Sequence, residues 1–229
     1  YERERAAAER RRQRQDELEL KARLREAVES AINVESLLLD GFCEQLKCAF
    51  GLRNVYLLQH ELPLQPELLT VVSADAANAA LPGRAPPPTS SSLYELLDPA
   101  APAVLYHPDA VDPAARVHFW NIPRLGAQLA CRIEVPNYAN AESFDEFAQR
   151  REEFLAERAQ WETEGEGAPP KELPPTGRLR RYVLVADNLG AEEELSAALR
   201  REVSDFCAFL AERWAWRNLQ NLREDFELY

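Results

Sequence analysis

Two long apolar stripes of helical period, one toward each end of the chain with short strands between them, restrict its fold more than any other feature. Leu20, Leu24, Val28, Ala31 or Ile32, Leu38, Phe42, Leu46 and Phe50 recur at steps of three and four among Glu, Lys and Arg. That is the spacing of a helix with one buried face. Asn33 and Gly41 predict a kink or break in it, because glycine inside a helix costs about 1 kcal/mol relative to alanine. Gly51 stands where a left-handed residue ends a helix. The second stripe, Leu195, Leu199, Val203, Phe206, Leu210 and Trp214, predicts a closing helix over about residues 191–221. Glu192, Glu193 and Glu194 would then occupy its first turn, where the positive end of the helix dipole favours acids.

The stretch between the stripes reads as a sheet. Residues 55–59 and 68–73 are rich in Val, Leu, Tyr and Thr and predict a hairpin or two adjacent strands, joined by a proline-bearing loop over 60–67. Periodicity is lost over 76–92, a flexible surface loop by composition. One helical turn is expected at 93–97, a short strand at 103–106 and an irregular link at 109–115. The strand at 128–135 alternates, with Leu129, Cys131, Ile133 and Val135 on a buried face and its other face wet. A last strand covers 182–187.

Before that last strand lies an insertion at 136–178, in which ten acids stand against four bases ahead of Arg178, six of the net twelve negative charges. Residues 143–161 suit a helix marked by Phe144, Phe147, Phe154 and Trp161, whereas 165–177 suit a mobile link. The organisation expected is a helical linker or coiled-coil extension at 1–17, one α+β domain at 18–221 and a linker at 222–229. At 229 residues and 46% hydrophobic, the chain can bury one substantial core. It begins at Tyr1 and contains no methionine, which suggests a piece of a longer protein.

Charge and side-chain chemistry narrow the functions. A net charge of -12 disfavours nucleic acid, which is held through clustered Lys and Arg. No apolar run approaches the roughly 20 residues of a bilayer span, so neither membrane nor nucleic acid is an expected partner. Cys43, Cys48, Cys131 and Cys207 lack metal-ligand spacing and read as reduced thiols of a cytoplasmic protein. His60, His107 and His118 are isolated, and no zinc site is expected. Ser90, Ser91, Ser92 and Ser196 lie outside any GxSxG elbow, and the 8 glycines form no phosphate loop. No catalytic residue and no cofactor are therefore assigned, and the chain does not read as an enzyme.

Two basic clusters remain. Arg178, Arg180 and Arg181 precede the last strand and are expected to pair with the acidic insertion as a latch, or else to hold a phosphate or an acidic peptide. Arg213-Trp214-Ala215-Trp216-Arg217 forms a basic aromatic stretch suited to the groove of a calmodulin-like partner. The alternative is packing, Trp214 on the first helix and Trp216 over a dimer seam.

The order helix, two strands, loop, two strands and closing helix, together with Pro-Arg-Leu-Gly-Ala-Gln-Leu-Ala at 123–130 and Val-Leu-Val-Ala-Asp-Asn-Leu-Gly at 183–190, resembles a GAF domain over about residues 18–221. The resemblance implies an antiparallel sheet flanked by long N- and C-terminal helices on one side and a loop-rich ligand side on the other. It also implies pairing through those helices. The cyclic-nucleotide constellation of the family is not met, since Phe144-Asp145-Glu146 after Asn140 lacks its Lys and its spacing, and no Cys precedes a His as bilin attachment requires.

The acidic insertion, the Ala, Pro and Arg content and the coiled first helix are similar to the GAF-containing proteins of ciliary radial spokes, which implies an architectural part of the axoneme. Bacterial signalling proteins, which embed GAF modules between helices, are the competing source. The resemblances point to a non-catalytic scaffold or regulatory module acting through protein contacts, with self-association through Leu20, Leu24, Val28 and Ile32 of the first helix and Leu210, Trp214, Trp216 and Leu219 of the closing one. The alternative is a small-molecule sensor of cyclic-nucleotide type in a signalling protein, its pocket lined by 93–106 and 118–121.

Overall fold

The computed structural model describes residues 2–39, 41–62, 64–117, 125–136, 149, 152–153, 156–161, 163, 179–191 and 193–227. The first stripe forms three helices, α1 (Glu2–Ser30), α2 (Val34–Leu39) and α3 (Phe42–Phe50). The breaks fall where Asn33 and Gly41 predict them. Asn33 Oδ1 accepts from Ser36 N at 2.7 Å and so caps α2, while Gly41 at φ 73° leads into α3. Gly51 at φ 63° ends α3, with Leu52 N returning to Lys47 O at 3.0 Å.

The strands are β1 (Asn54–Gln59), β2 (Thr70–Ala74), β3 (Val104–His107), β4 (Gln128–Pro136) and β5 (Leu179–Asp187), followed by α4 (Ala197–Glu227). They form one antiparallel sheet in the order β2-β1-β5-β4-β3. The architecture is thus α+β, a five-stranded antiparallel sheet with flanking helices. α1 continues unbroken across residues 17 and 18, and α4 across 221 and 222.

Side-chain alternation assigns the two faces of the sheet to different covers. One face, with Val55, Leu57, Leu129, Cys131, Ile133, Tyr182 and Leu184, packs against Leu24 and Val28 of α1, Phe42 and Leu46 of α3, and Val203, Phe206, Leu210 and Trp214 of α4. The other face, with Tyr56, Leu58, Val71, Ala130, Val183 and Val185, is covered by Leu93 and Leu96 of the 3₁₀ turn Ser92–Leu97. Central strands buried on both faces need continuous apolar runs, which is why Val55-Tyr56-Leu57-Leu58 and Tyr182-Val183-Leu184-Val185-Ala186 show no polar alternation.

Three expectations need correction. The outer face of β4 is not wet along its length, because Gln128 and Ala130 are buried and the Arg132 guanidinium donates to Leu96 O at 3.2 Å and Asp98 O at 2.6 Å. The loop after β2 is tied to that strand, Val71 N donating to Arg84 O at 2.9 Å and Gly83 N to Val71 O at 2.8 Å. It is anchored further by the Tyr94 hydroxyl, which donates to Pro86 O and accepts from Leu69 N.

The third correction concerns α4, which begins at Ala197, so Glu193 and Glu194 precede it; Glu192 lies outside the described residues. The hydroxyl of Ser196 accepts from Leu199 N at 3.2 Å and supplies the cap that decides the boundary. Of the insertion, residues 149, 152–153, 156–161 and 163 are helical, and Phe144, Phe147, Phe154 and 164–178 lie outside the described residues.

The two long helices run in the same direction. Lys21 meets Glu202, Arg25 lies over Phe206 and Phe209, Arg213 meets Glu29, Arg217 donates to Ala31 O and Asn221 to Ile32 O, so contacts advance together along both helices. α3 runs the opposite way beneath them, Phe50 beside Phe206 and Phe42 beside Trp214. At a rise of about 1.5 Å per residue, α1 projects about 20 Å past the start of α4, and α4 continues about 9 Å past Asn221 at the other end. Residues 8–20 of α1 are exposed on every side. No helix among the described residues is long and apolar enough to cross a membrane.

Gly126 joins the loop side to the end of β5. Its φ of 120° is one that side-chain-bearing residues rarely adopt, and a Cβ there would lie 2.8 Å from both Ala191 O and Asn188 O. Gly126→Ala is expected to lower stability by about 2 kcal/mol, or roughly 6 °C in Tm, in a thermal melt followed by circular dichroism. An unchanged Tm would mean that this link is free to move away from residues 188–191.

Candidate functional site

The residues expected to form a seam divide into two groups. Leu24, Val28, Leu210 and Trp214 are buried in the protein's own core, so substitutions there report on folding rather than on association. Leu20 is 39% exposed, Ile32 69% and Trp216 49%, and Leu219 is half-buried. Trp214 stacks edge-on against Tyr182 of β5 at 5.3 Å between centroids and lies 6.4 Å from Phe42 of α3. Its packing is therefore on the sheet and α3 as well as beside Val28.

Leu20 stands earlier in α1, beside the Lys21–Glu202 pair, whereas Ile32, Trp216 and Leu219 lie at the C-terminal end of that helix. A crevice of about 20 Å³ lies there, lined by Val28, Glu29, Ala31, Asn33 and Val34 on one side and Arg213, Trp214, Trp216 and Arg217 on the other. Ile32 stands at its edge, its carbonyl accepting from Asn221 Nδ2 at 3.4 Å. Arg213 Nη2 donates to Glu29 Oε1 at 3.2 Å and Arg217 Nε to Ala31 O at 3.1 Å, which sets two cations at the carbonyl end of α1. Among the described residues, Trp214 Nε1 and Arg213 Nε are buried without an acceptor.

On the opposite side of the molecule, a hollow of about 210 Å³ is lined by His107, Pro108, Asp109, Asp112, Ala114 and Ala115. Of the anticipated sensor pocket, Leu93 and Leu96 in the 93–106 wall pack on the sheet, and the other wall, residues 118–121, lies outside the described residues. His107 Nε2 is 3.0 Å from Ser92 Oγ, an arrangement that sequence reasoning missed because the two residues belong to different elements. Burial lowers the pKa of His107 while the charge of Asp112 opposes the shift. Ser92 is only 1% exposed, so its hydroxyl closes the end of β3 against the 3₁₀ turn and presents no nucleophile to a substrate. His60 is also lowered by burial, against the raising influence of Glu61, and His118 lies outside the described residues.

The remaining candidates are structural. Arg180 pairs with Glu35 of α2 at 3.3 Å and Arg181 with Glu134 of β4 at 3.0 Å; Arg178 and most of the acidic insertion expected to pair with them lie outside the described residues. Burial pushes the Cys43 thiol up to about 12, and Cys207 is raised by its hydrogen-bond neighbour Cys131 and by burial. Cys48 is raised by desolvation and by Glu44. Thiols shifted upward are poor nucleophiles. Among the described residues, no group of three His, Cys, Asp or Glu side chains is placed to hold a metal ion. Compared with known proteins, the chain matches no family model and no curated sequence.

Proposed function

We propose that this chain is a GAF-like, non-catalytic scaffold or regulatory module of a longer helix-connected cytoplasmic protein, acting through protein contacts at its terminal helices, with the axonemal radial spoke as its setting. The observation that carries this reading is the common direction of α1 and α4, which directs the first turn of α1 and the last turn of α4 to opposite ends of the domain. A polar rod such as residues 8–20, exposed all round, suits a connection between bodies better than a wall of a binding pocket. Both long helices on one face of an antiparallel sheet and loops on the other is the arrangement the GAF resemblance implies.

A sensor is the second reading, and the hollow beside His107 is the feature that favours it. Asp109 and Asp112 give that hollow an acidic lining, which repels the phosphate of a cyclic nucleotide.

The test is localisation. A fluorescently tagged chain expressed in ciliated cells is expected to remain in the axoneme after detergent extraction of the membrane and matrix. Release of the tagged chain with the soluble fraction would overturn the axonemal setting.

A further inference from the structure

We infer that the crevice between the end of α1 and the second half of α4 docks an acidic amphipathic helix of a partner protein, one carboxylate meeting Arg213, Trp214 and Arg217 while aliphatic side chains cover Ile32 and Trp216. The inference rests on the scaffold reading and names the chemistry of its partner. Buried N–H groups are rarely left without an acceptor, yet among the described residues Trp214 Nε1 and Arg213 Nε both are, on two residues that line the same crevice. Trp214 is only 3% exposed, so this donor is a built feature and not a solvated surface group.

Arg217 adds positive charge. It uses Nε on Ala31 O, and among the described residues no carboxylate lies within ion-pair distance of it. Glu29 takes one nitrogen of Arg213, so the crevice keeps a net positive charge on a chain of net charge -12. Guanidinium groups match carboxylates in geometry and bind them through charge-assisted hydrogen bonds. Screening confines the repulsion of the acidic body to about 8 Å at physiological salt, so the local cations decide what sits there. A volume of about 20 Å³ admits the head of one side chain, which leaves the apolar part of the ligand on the rim, where Ile32 and Trp216 are exposed. A second copy of the chain fits less well, because a two-fold contact centred here turns Arg213 and Arg217 toward their own equivalents.

The experiment uses the full chain and a fluorescein-labelled 20-residue peptide with leucine at helical spacing and glutamate at the flanking positions, read by fluorescence anisotropy. A peptide with lysine in place of every glutamate is the comparison. The expected result is at least tenfold tighter binding of the glutamate peptide, weakened at least tenfold by Trp216→Ser together with Arg217→Glu and weakened as salt is raised. Trp216→Ser alone leaves the Arg217 bond to Ala31 in place, and it is expected to weaken binding severalfold with an unchanged melting curve. Absent binding, equal binding of the two peptides, or an affinity that neither variant changes would overturn the inference. So would sedimentation showing that Trp216→Ser turns a dimer into a monomer without affecting the peptide. Axonemal retention does not enter this measurement, so failure here leaves the scaffold reading standing, and loss of retention leaves the docking result standing.

Discussion

Phe206→Ala is expected to destabilise the protein by about 4 kcal/mol, because removing a large buried ring forfeits its transfer free energy and leaves a cavity in a packed layer. Phe206 is 1% exposed and its ring lies within 6.4 Å of Phe42, 5.6 Å of Phe50 and 5.8 Å of Phe209, so it contacts α3 and the next turn of its own helix at once. Arg25 of α1 stands over the same ring at 6.0 Å. The loss is read from chemical denaturation of the full chain, as a lower midpoint at constant slope. Phe206→Leu, which refills most of the space, should recover more than half of the stability. A loss below about 1 kcal/mol in the alanine variant would mean that the layer is organised around some other residue.

Asp75→Ala is expected to cost about 3 kcal/mol, through the stranding of buried donors and a cation rather than through lost packing. Its carboxylate is fully enclosed and accepts from Val55 N at 2.8 Å, Ala77 N at 3.0 Å, Asn78 Nδ2 at 2.8 Å and Lys47 Nζ at 3.2 Å. It thereby joins α3, β1 and the loop after β2. Burial by itself would raise its pKa, but the bonds from Val55, Asn78 and Lys47 outweigh it, and the pKa is lowered from 3.8. A carboxyl depressed by folding contributes stability above its unfolded pKa and loses it as the pH falls through the folded one. The wild-type Tm should therefore drop below about pH 4 with a component that Asp75→Asn lacks. Parallel pH profiles for the two proteins would show that this carboxylate is not linked to folding.

The parts of the fold legible in the sequence are those written as runs of side chains. Steps of three and four placed the helices, and Gly51 marked the close of α3 because a left-handed residue leaves a local signature. Tyr182 to Asp187 was legible as a strand because burial on both faces demands an unbroken apolar run. The features that escaped reading depend on contacts between distant segments or on a single cap. Glu192 to Glu194 look like the opening turn of α4, yet the Ser196 hydroxyl sets it further on. The outer face of β4 looks wet until the turn at Ser92–Leu97 covers it.

Asp75 is one acid among 39, and the partners that enclose it include Val55 and Lys47, which lie 20 and 28 residues away in the chain. The crevice was half legible: Arg213-Trp214-Ala215-Trp216-Arg217 stood out, but its other wall, from Val28 to Val34, comes from far away in the chain.

Because α1 and α4 lie side by side, point the same way and extend beyond the body at opposite ends, tension applied through the two ends would load their contacts in shear. The bridge from Lys21 to Glu202, that from Glu29 to Arg213 and the aromatic layer beneath would then strain together instead of parting one after another as in a peeled hairpin. A domain loaded in this way would resist a pull through its two ends as one unit.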